Sequence, residues 1–191
     1  MKKLILLAVV TGMFAATASA GNSYAFPIPG TAFFNKHHSI IKKEEKKELK
    51  KLKGNEVSGA AIDQFARDFE NLSDVIWERT SNFDEATFTK GGQVFTAYYD
   101  DDAKLVGTTT NKTFADLPSK AQAVIKADYK AYSVTGLCMF DDNEDNETDM
   151  SLYNKQFDDV DSYFVELKKD NKEIVLQVSM DGDVSVFTRL R

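Results

Sequence analysis

One cysteine, two histidines and three prolines are all that 191 residues contain, and each scarcity closes a route. A lone thiol, Cys138, cannot make an intramolecular disulfide, so burial of apolar surface must hold the fold. Cys138 sits in the apolar run 132–140 beside Asp141 and Asp142, the wrong charges for an activated thiolate, and reads as a buried structural thiol. The only imidazoles, His37 and His38, are neighbours near the N-terminus. They are poorly placed to activate a serine or cysteine in the body of the chain. An adjacent pair alone is also a weak donor set for zinc or copper, which need ligands fixed by a scaffold. No glycine-rich loop of the phosphate-cradling kind is present. Carboxylates are plentiful, but no spacing singles out an acid–base pair. The chain thus offers no catalytic residues, no metal ligands and no cofactor motif, and its binding residues are not marked by any motif.

Only one long apolar run exists, Leu4 to Ala16, and it is shorter than the ~20 residues a membrane-spanning helix requires. It follows Lys2 and Lys3 and precedes Ala18-Ser19-Ala20, the small residues a signal peptidase accepts. Residues 1–20 therefore read as a secretory signal peptide, with a periplasmic or secreted product. Gly21 stands where a lipoprotein would carry cysteine, and no integral membrane segment is expected after the signal is removed.

Loss of Lys2 and Lys3 moves the formal charge from −6 to about −8. Residues 21–56 read as a flexible basic leader. Gly21, Pro27, Pro29 and Gly30 break regular structure, and Lys36 to Lys53 carries eight lysines against three glutamates. The rest of the mature chain is then strongly acidic, which opposes a nucleic-acid partner and favours a tether that is solvated or lies against its own domain.

From residue 57 the pattern becomes that of a folded domain. Ser58 is a candidate N-cap for a helix whose apolar face is Ile62, Phe65, Phe69 and Leu72. Strands follow at 75–80, 84–90, 93–100 and 104–113, with Gly91-Gly92 as a hairpin turn. A second helix starts at Leu117-Pro118-Ser119, with Ala121, Val124, Ile125, Tyr129 and Tyr132 inward. Strands at 133–140, 160–168, 173–180 and 184–191 complete the chain, the last two joined by Asp181-Gly182. The expected fold class is α+β: an antiparallel sheet with helices packed on one face, in two helix-plus-meander halves. Residues 141–149 read as a solvated acidic loop. Asp141, Asn143 and Asp145 match the first alternating positions of a calcium loop, but Asn146 and Leu152 replace its glycine and glutamate, which rejects an EF-hand. Tyr98 and Tyr99 must point to opposite faces of their strand, which leaves one of them as a candidate for exposure.

Several of these segments together resemble a known family. They are Phe65 and Phe69 on the first helix, Val75-Ile76-Trp77, Ala97-Tyr98-Tyr99-Asp100, Phe114-Ala115-Asp116-Leu117-Pro118, Asp128-Tyr129-Lys130-Ala131-Tyr132, Tyr163-Phe164-Val165-Glu166-Leu167 and Met180-Asp181-Gly182. In this order they are similar to the PepSY-like, β-lactamase-inhibitor-protein-like proteins exported by Bacteroidetes. The resemblance covers 57–191 and implies the same α+β fold and an envelope or external location. Its motifs mark core positions, so no site residue is carried across. Asp101 and Asp102 replace the usual Asp-Gly in the first turn, and the segment 141–158 lies outside the shared pattern. Together with the absent catalytic set, the resemblance implies a non-enzymatic exported module that binds another envelope or secreted protein, as an inhibitor or a regulator. The alternative is a small-ligand or weak calcium-binding periplasmic protein.

Overall fold

The computed structural model describes residues 49–70 and 72–190. The predicted signal peptide, His37, His38 and most of the basic leader lie outside the described residues.

Helix α1 (Gly59–Asp68) starts where Ser58 accepts a hydrogen bond from the Ala60 amide, satisfying one donor that the first turn leaves free. Four strands follow: β1 (Ile76–Arg79), β2 (Asp84–Lys90), β3 (Gln93–Tyr99) and β4 (Leu105–Asn111). A 3₁₀ turn at Phe114–Asp116 leads into α2 (Ser119–Asp128) and β5 (Ser133–Asp142). Next come a short pair, β6 (Met150–Leu152) and β7 (Lys155–Phe157), then β8 (Ser162–Lys169), β9 (Lys172–Ser179) and β10 (Val184–Arg189). Eight strands form one sheet in the order β1-β2-β3-β4-β5-β8-β9-β10, antiparallel at every pairing, while β6 and β7 pair only with each other.

The β2–β3 hairpin turns on Gly91 and Gly92, both at positive φ (59° and 80°), the conformation a two-residue turn demands. The next turn manages without glycine. Ala103 takes the left-handed position (φ 57°), and the Asp100 carboxylate holds the turn by accepting from the amides of Asp102 and Lys104.

Alternation along the strands builds three apolar clusters. Ala61 and Phe65 of α1 pack on Ala86, Phe88, Ala97 and Tyr99. Ala121 and Ile125 of α2 pack with Leu137, Val165, Leu167 and Leu176. Directly opposed residues share a sheet face, and Phe95, Thr110 and Met139 are opposed in series across β3, β4 and β5. The first two clusters therefore lie on one side of the sheet. The third contains Tyr98, Phe140, Phe164, Val175 and Phe187 and lies on the other. Each of these large side chains contributes roughly 1.5–3 kcal/mol by leaving water.

Two expectations are corrected here. Ile62 faces solvent (44 % exposed) and Ala61 takes the inward position in its place, while Phe65, Phe69 and Leu72 pack on the sheet as predicted. Tyr98 and Tyr99 do point to opposite faces, but both are buried, each in its own cluster.

One buried ion pair joins the start of the domain to the sheet. Asp84 is 1 % exposed and receives both Nε and Nη2 of Arg79 at 2.6 Å, as well as the Ser58 amide at 3.0 Å. Arg79 Nη1 donates to the carbonyl of Lys53. Further bonds run from the Leu52 amide to Ser81 and from Asn82 to the Lys50 carbonyl, and Lys50 pairs with Asp101. Residues 49–53 thus lie along their own acidic domain.

Candidate functional site

The helix-free face of the sheet is divided. Over β5, β8, β9 and β10 it presents Phe140, Phe164, Val175 and Phe187, and the β6–β7 hairpin folds down on them. Phe157 sits 4.9 Å from Phe164, 5.4 Å from Phe140 and 5.7 Å from Phe187, ring centre to ring centre. Met150 beside it is wholly buried. The segment read as a solvated acidic loop is therefore the approach to a flap.

The flap is fastened at its tip and at its root. Its turn is Tyr153-Asn154, both left-handed (φ 52° and 58°). That conformation costs a non-glycine residue about 1–2 kcal/mol. The tyrosine is held there by its hydroxyl, which donates to Glu166 at 2.8 Å, and by ring contacts with Phe164 and Phe187. Lys155 donates to the Phe187 carbonyl at 2.6 Å and lies over the same ring. At the root, Asn146 Nδ2 and Thr148 Oγ1 both donate to Asp100 Oδ2, at 3.2 and 3.1 Å.

These bonds also decide the calcium-loop positions. Asn143 and Asn146 spend their amide groups as donors to the Leu105 carbonyl. Asp141 is opposed to Thr108 within the sheet, and Asp145 is exposed. Among the described residues no group of three His, Cys, Asp or Glu side chains is arranged to hold a metal ion. Cys138 lies under the flap, and burial pushes its thiol up to about 11, so it stays protonated.

Over β1–β4 the same face is open. A row of opposed residues, Ile76, Thr87, Thr96 and Thr109, crosses four strands and runs into Phe140 at the flap. Thr87 and Thr96 share a hydroxyl hydrogen bond of 3.0 Å, as do Tyr98 and Thr109. Ile76 is 70 % exposed and Val94, next to Thr89, is 48 % exposed. Glu78 and Glu85 are directly opposed on this face, and burial pushes Glu85 above the usual carboxylate range. A cavity of about 280 Å³ separates the flap tip (151–154) from Phe83, Glu85 and Tyr98. Sequence reasoning missed the flap. Its signal was present in Met150 and Leu152 alternating before Asn154, a residue that tolerates the left-handed turn.

No family model and no curated protein matches the chain. Solved structures do. A BLIP-like protein from Bacteroides fragilis superposes with a TM-score of 0.54 at 17% identity, over 72% of this chain and 89% of that one. A DUF2874 family protein from Bacteroides uniformis gives 0.56 at 13%, over 70% and 88%. A Bacteroides eggerthii protein provisionally described as periplasmic gives 0.55 at 12%, over 70% and 88%. At such identities the likeness is one of fold: the chain is an α+β protein with the BLIP-like sheet architecture. No helix among the described residues is long and apolar enough to cross a membrane.

Proposed function

We propose that this protein is an exported, non-enzymatic module of the PepSY-like, BLIP-like kind that binds another envelope or secreted protein through the open half of its helix-free sheet face. Inhibition or regulation of an enzyme is the role this reading gives it. The observation that carries the proposal is the row Ile76–Thr87–Thr96–Thr109. The Thr87–Thr96 and Tyr98–Thr109 hydroxyl bonds pre-order this surface, and Ile76 and Val94 stand exposed at its margins. Little side-chain freedom is lost when such a surface is covered, which favours association. The signal-peptide pattern at 1–20 and a fold neighbour provisionally described as periplasmic support the location.

The test places a photo-crosslinking amino acid at Thr96 in the full chain, expressed with its leader, with Ala127 on the outer side of α2 as control. One defined adduct from Thr96 is expected, and the purified partner should bind wild type and lose binding to Ile76→Asp and Val94→Asp. Equal labelling from both positions would sink the proposal.

A further inference from the structure

The described chain begins at a defined place on the sheet. Leu49 packs on the cluster that contains Phe83 and Tyr98. Their rings stand 5.8 Å apart, centre to centre, and line the cavity beside the flap tip, as does Glu85. The next residue is pinned twice, since Asn82 donates to the Lys50 carbonyl and the Lys50 ammonium pairs with Asp101. The leader therefore joins the domain on the helix-free side, at the margin of its open half.

That half carries an unbalanced charge. Its residues on β1–β4 include two carboxylates and no cation. The two are Glu78 and Glu85, directly opposed across β1 and β2. Like charges in that relation destabilise a sheet. Neither forms an ion pair among the described residues. A cation laid between them would relieve the repulsion, and Ile76 and Val94 stand exposed on the same face.

The segment just before Leu49 supplies both elements. It reads Ile41-Lys42-Lys43-Glu44-Glu45-Lys46-Lys47-Glu48. Because the lysines come in adjacent pairs, one of each pair falls on the side of Leu49 in either regular path. In a helical path these are Lys46 and Lys42, and in an extended one Lys47 and Lys43. Eight residues reach roughly 12 Å as a helix and roughly 27 Å extended. The two strand spacings from Tyr98 on β3 to β1 are roughly 10 Å.

We propose that residues 41–48 of the leader cover the open half of the helix-free face, with their lysines against Glu85 and Glu78 and Ile41 reaching the exposed Ile76. The surface then carries its own occupant, which any protein binding there must displace. The apparent affinity of such a protein falls with the fraction of chains whose face is free. That consequence rests on the function proposed for this face; the contact itself does not.

The test places a photo-crosslinking amino acid at Glu45 in the full chain, purified with no other protein present, so that its outcome is independent of partner binding. An intrachain adduct on Ile76, Thr87 or Thr96 is expected, read by peptide mass spectrometry. Its yield should fall in 1 M salt, where screening shortens to about 3 Å. The double change Glu78→Gln, Glu85→Gln removes an opposed like-charge pair and should melt no lower than wild type. Its adduct yield should drop about three-fold or more, the effect of two partly exposed ion pairs. The wild-type adduct map decides the question even if that variant misfolds. An adduct joining two chains would assign the face to a second copy. Adducts spread over α2, no adduct at all, or an undiminished yield in a folded double variant would mean that the leader does not dock there. Each of these results overturns the proposal.

Discussion

The Tyr153 hydroxyl donates to the Glu166 carboxylate at 2.8 Å, and that bond joins the tip of the β6–β7 flap to the middle of the sheet. Glu166 has room because its cross-strand partner is Gly136; a Cβ there would stand 2.8 Å from the Glu166 carboxyl carbon. Tyr153→Phe keeps the ring and the left-handed turn but removes the donor. Urea unfolding should show a loss of roughly 1–2 kcal/mol at unchanged m-value, the lower part of the range for bonds to a charged group because Glu166 is half-buried.

Arg79 and Asp84 form a two-pronged pair in which the arginine side chain is 11 % and the aspartate 1 % exposed. Arg79→Ala leaves a carboxylate buried with only the Ser58 amide, and should cost about 3–5 kcal/mol by denaturant titration. Arg79→Lys should recover only part of this, since a single ammonium cannot reproduce the fork.

Asp142 gives stability a definite pH dependence. Its folded value of about 7 lies above the ordinary carboxylate range, so between roughly pH 4 and 7 the folded chain holds a proton that the unfolded chain has released. The contribution is complete at the acidic end of that window and is lost as pH rises through 7. Melting temperature should therefore carry a downward slope from this group over that interval. Asp142→Asn should flatten the slope and melt higher than wild type at pH 8; an unchanged slope would remove Asp142 as its source.

At Gly107 a Cβ would lie 2.6 Å from the Asp141 carbonyl oxygen and from two atoms of the Phe140 ring. Backbone and a fully buried ring cannot yield cheaply, so Gly107→Ala should destabilise by about 1–3 kcal/mol or more. Gly136→Ala meets only the end of the Glu166 side chain, and its calorimetric effect should be smaller.

Where local pattern and tertiary packing agree, the sequence was legible. Gly91-Gly92 and Asp181-Gly182 mark their hairpins because positive φ leaves a compositional trace. β2 runs over 84–90 as its alternation predicts. Legibility failed where a long-range partner decides. Asn146 and Thr148 look like solvated polar residues until Asp100, far away in sequence, is seen to bind them. Tyr153 gives no turn signal because its strained conformation is stabilised from outside, by Glu166 and Phe164. The open row on the helix-free face was unreadable for a related reason. Which threonines remain uncovered depends on where the flap stops, and no alternation within β2 or β3 encodes that.

The root and tip of the flap are expected to close late in folding. Asp100 and Thr148 are 48 residues apart in sequence, and closing so long a loop is entropically unfavourable until the β3–β4 turn exists to receive it. Bonds completed after the folding barrier act on the rate of escape from the native state and leave the rate of arrival unchanged. The flap then works as a latch: losing Tyr153's hydroxyl should steepen spontaneous opening while refolding proceeds as before. For an exported protein of the kind proposed above, a slow exit from the native state would set the working lifetime against proteases.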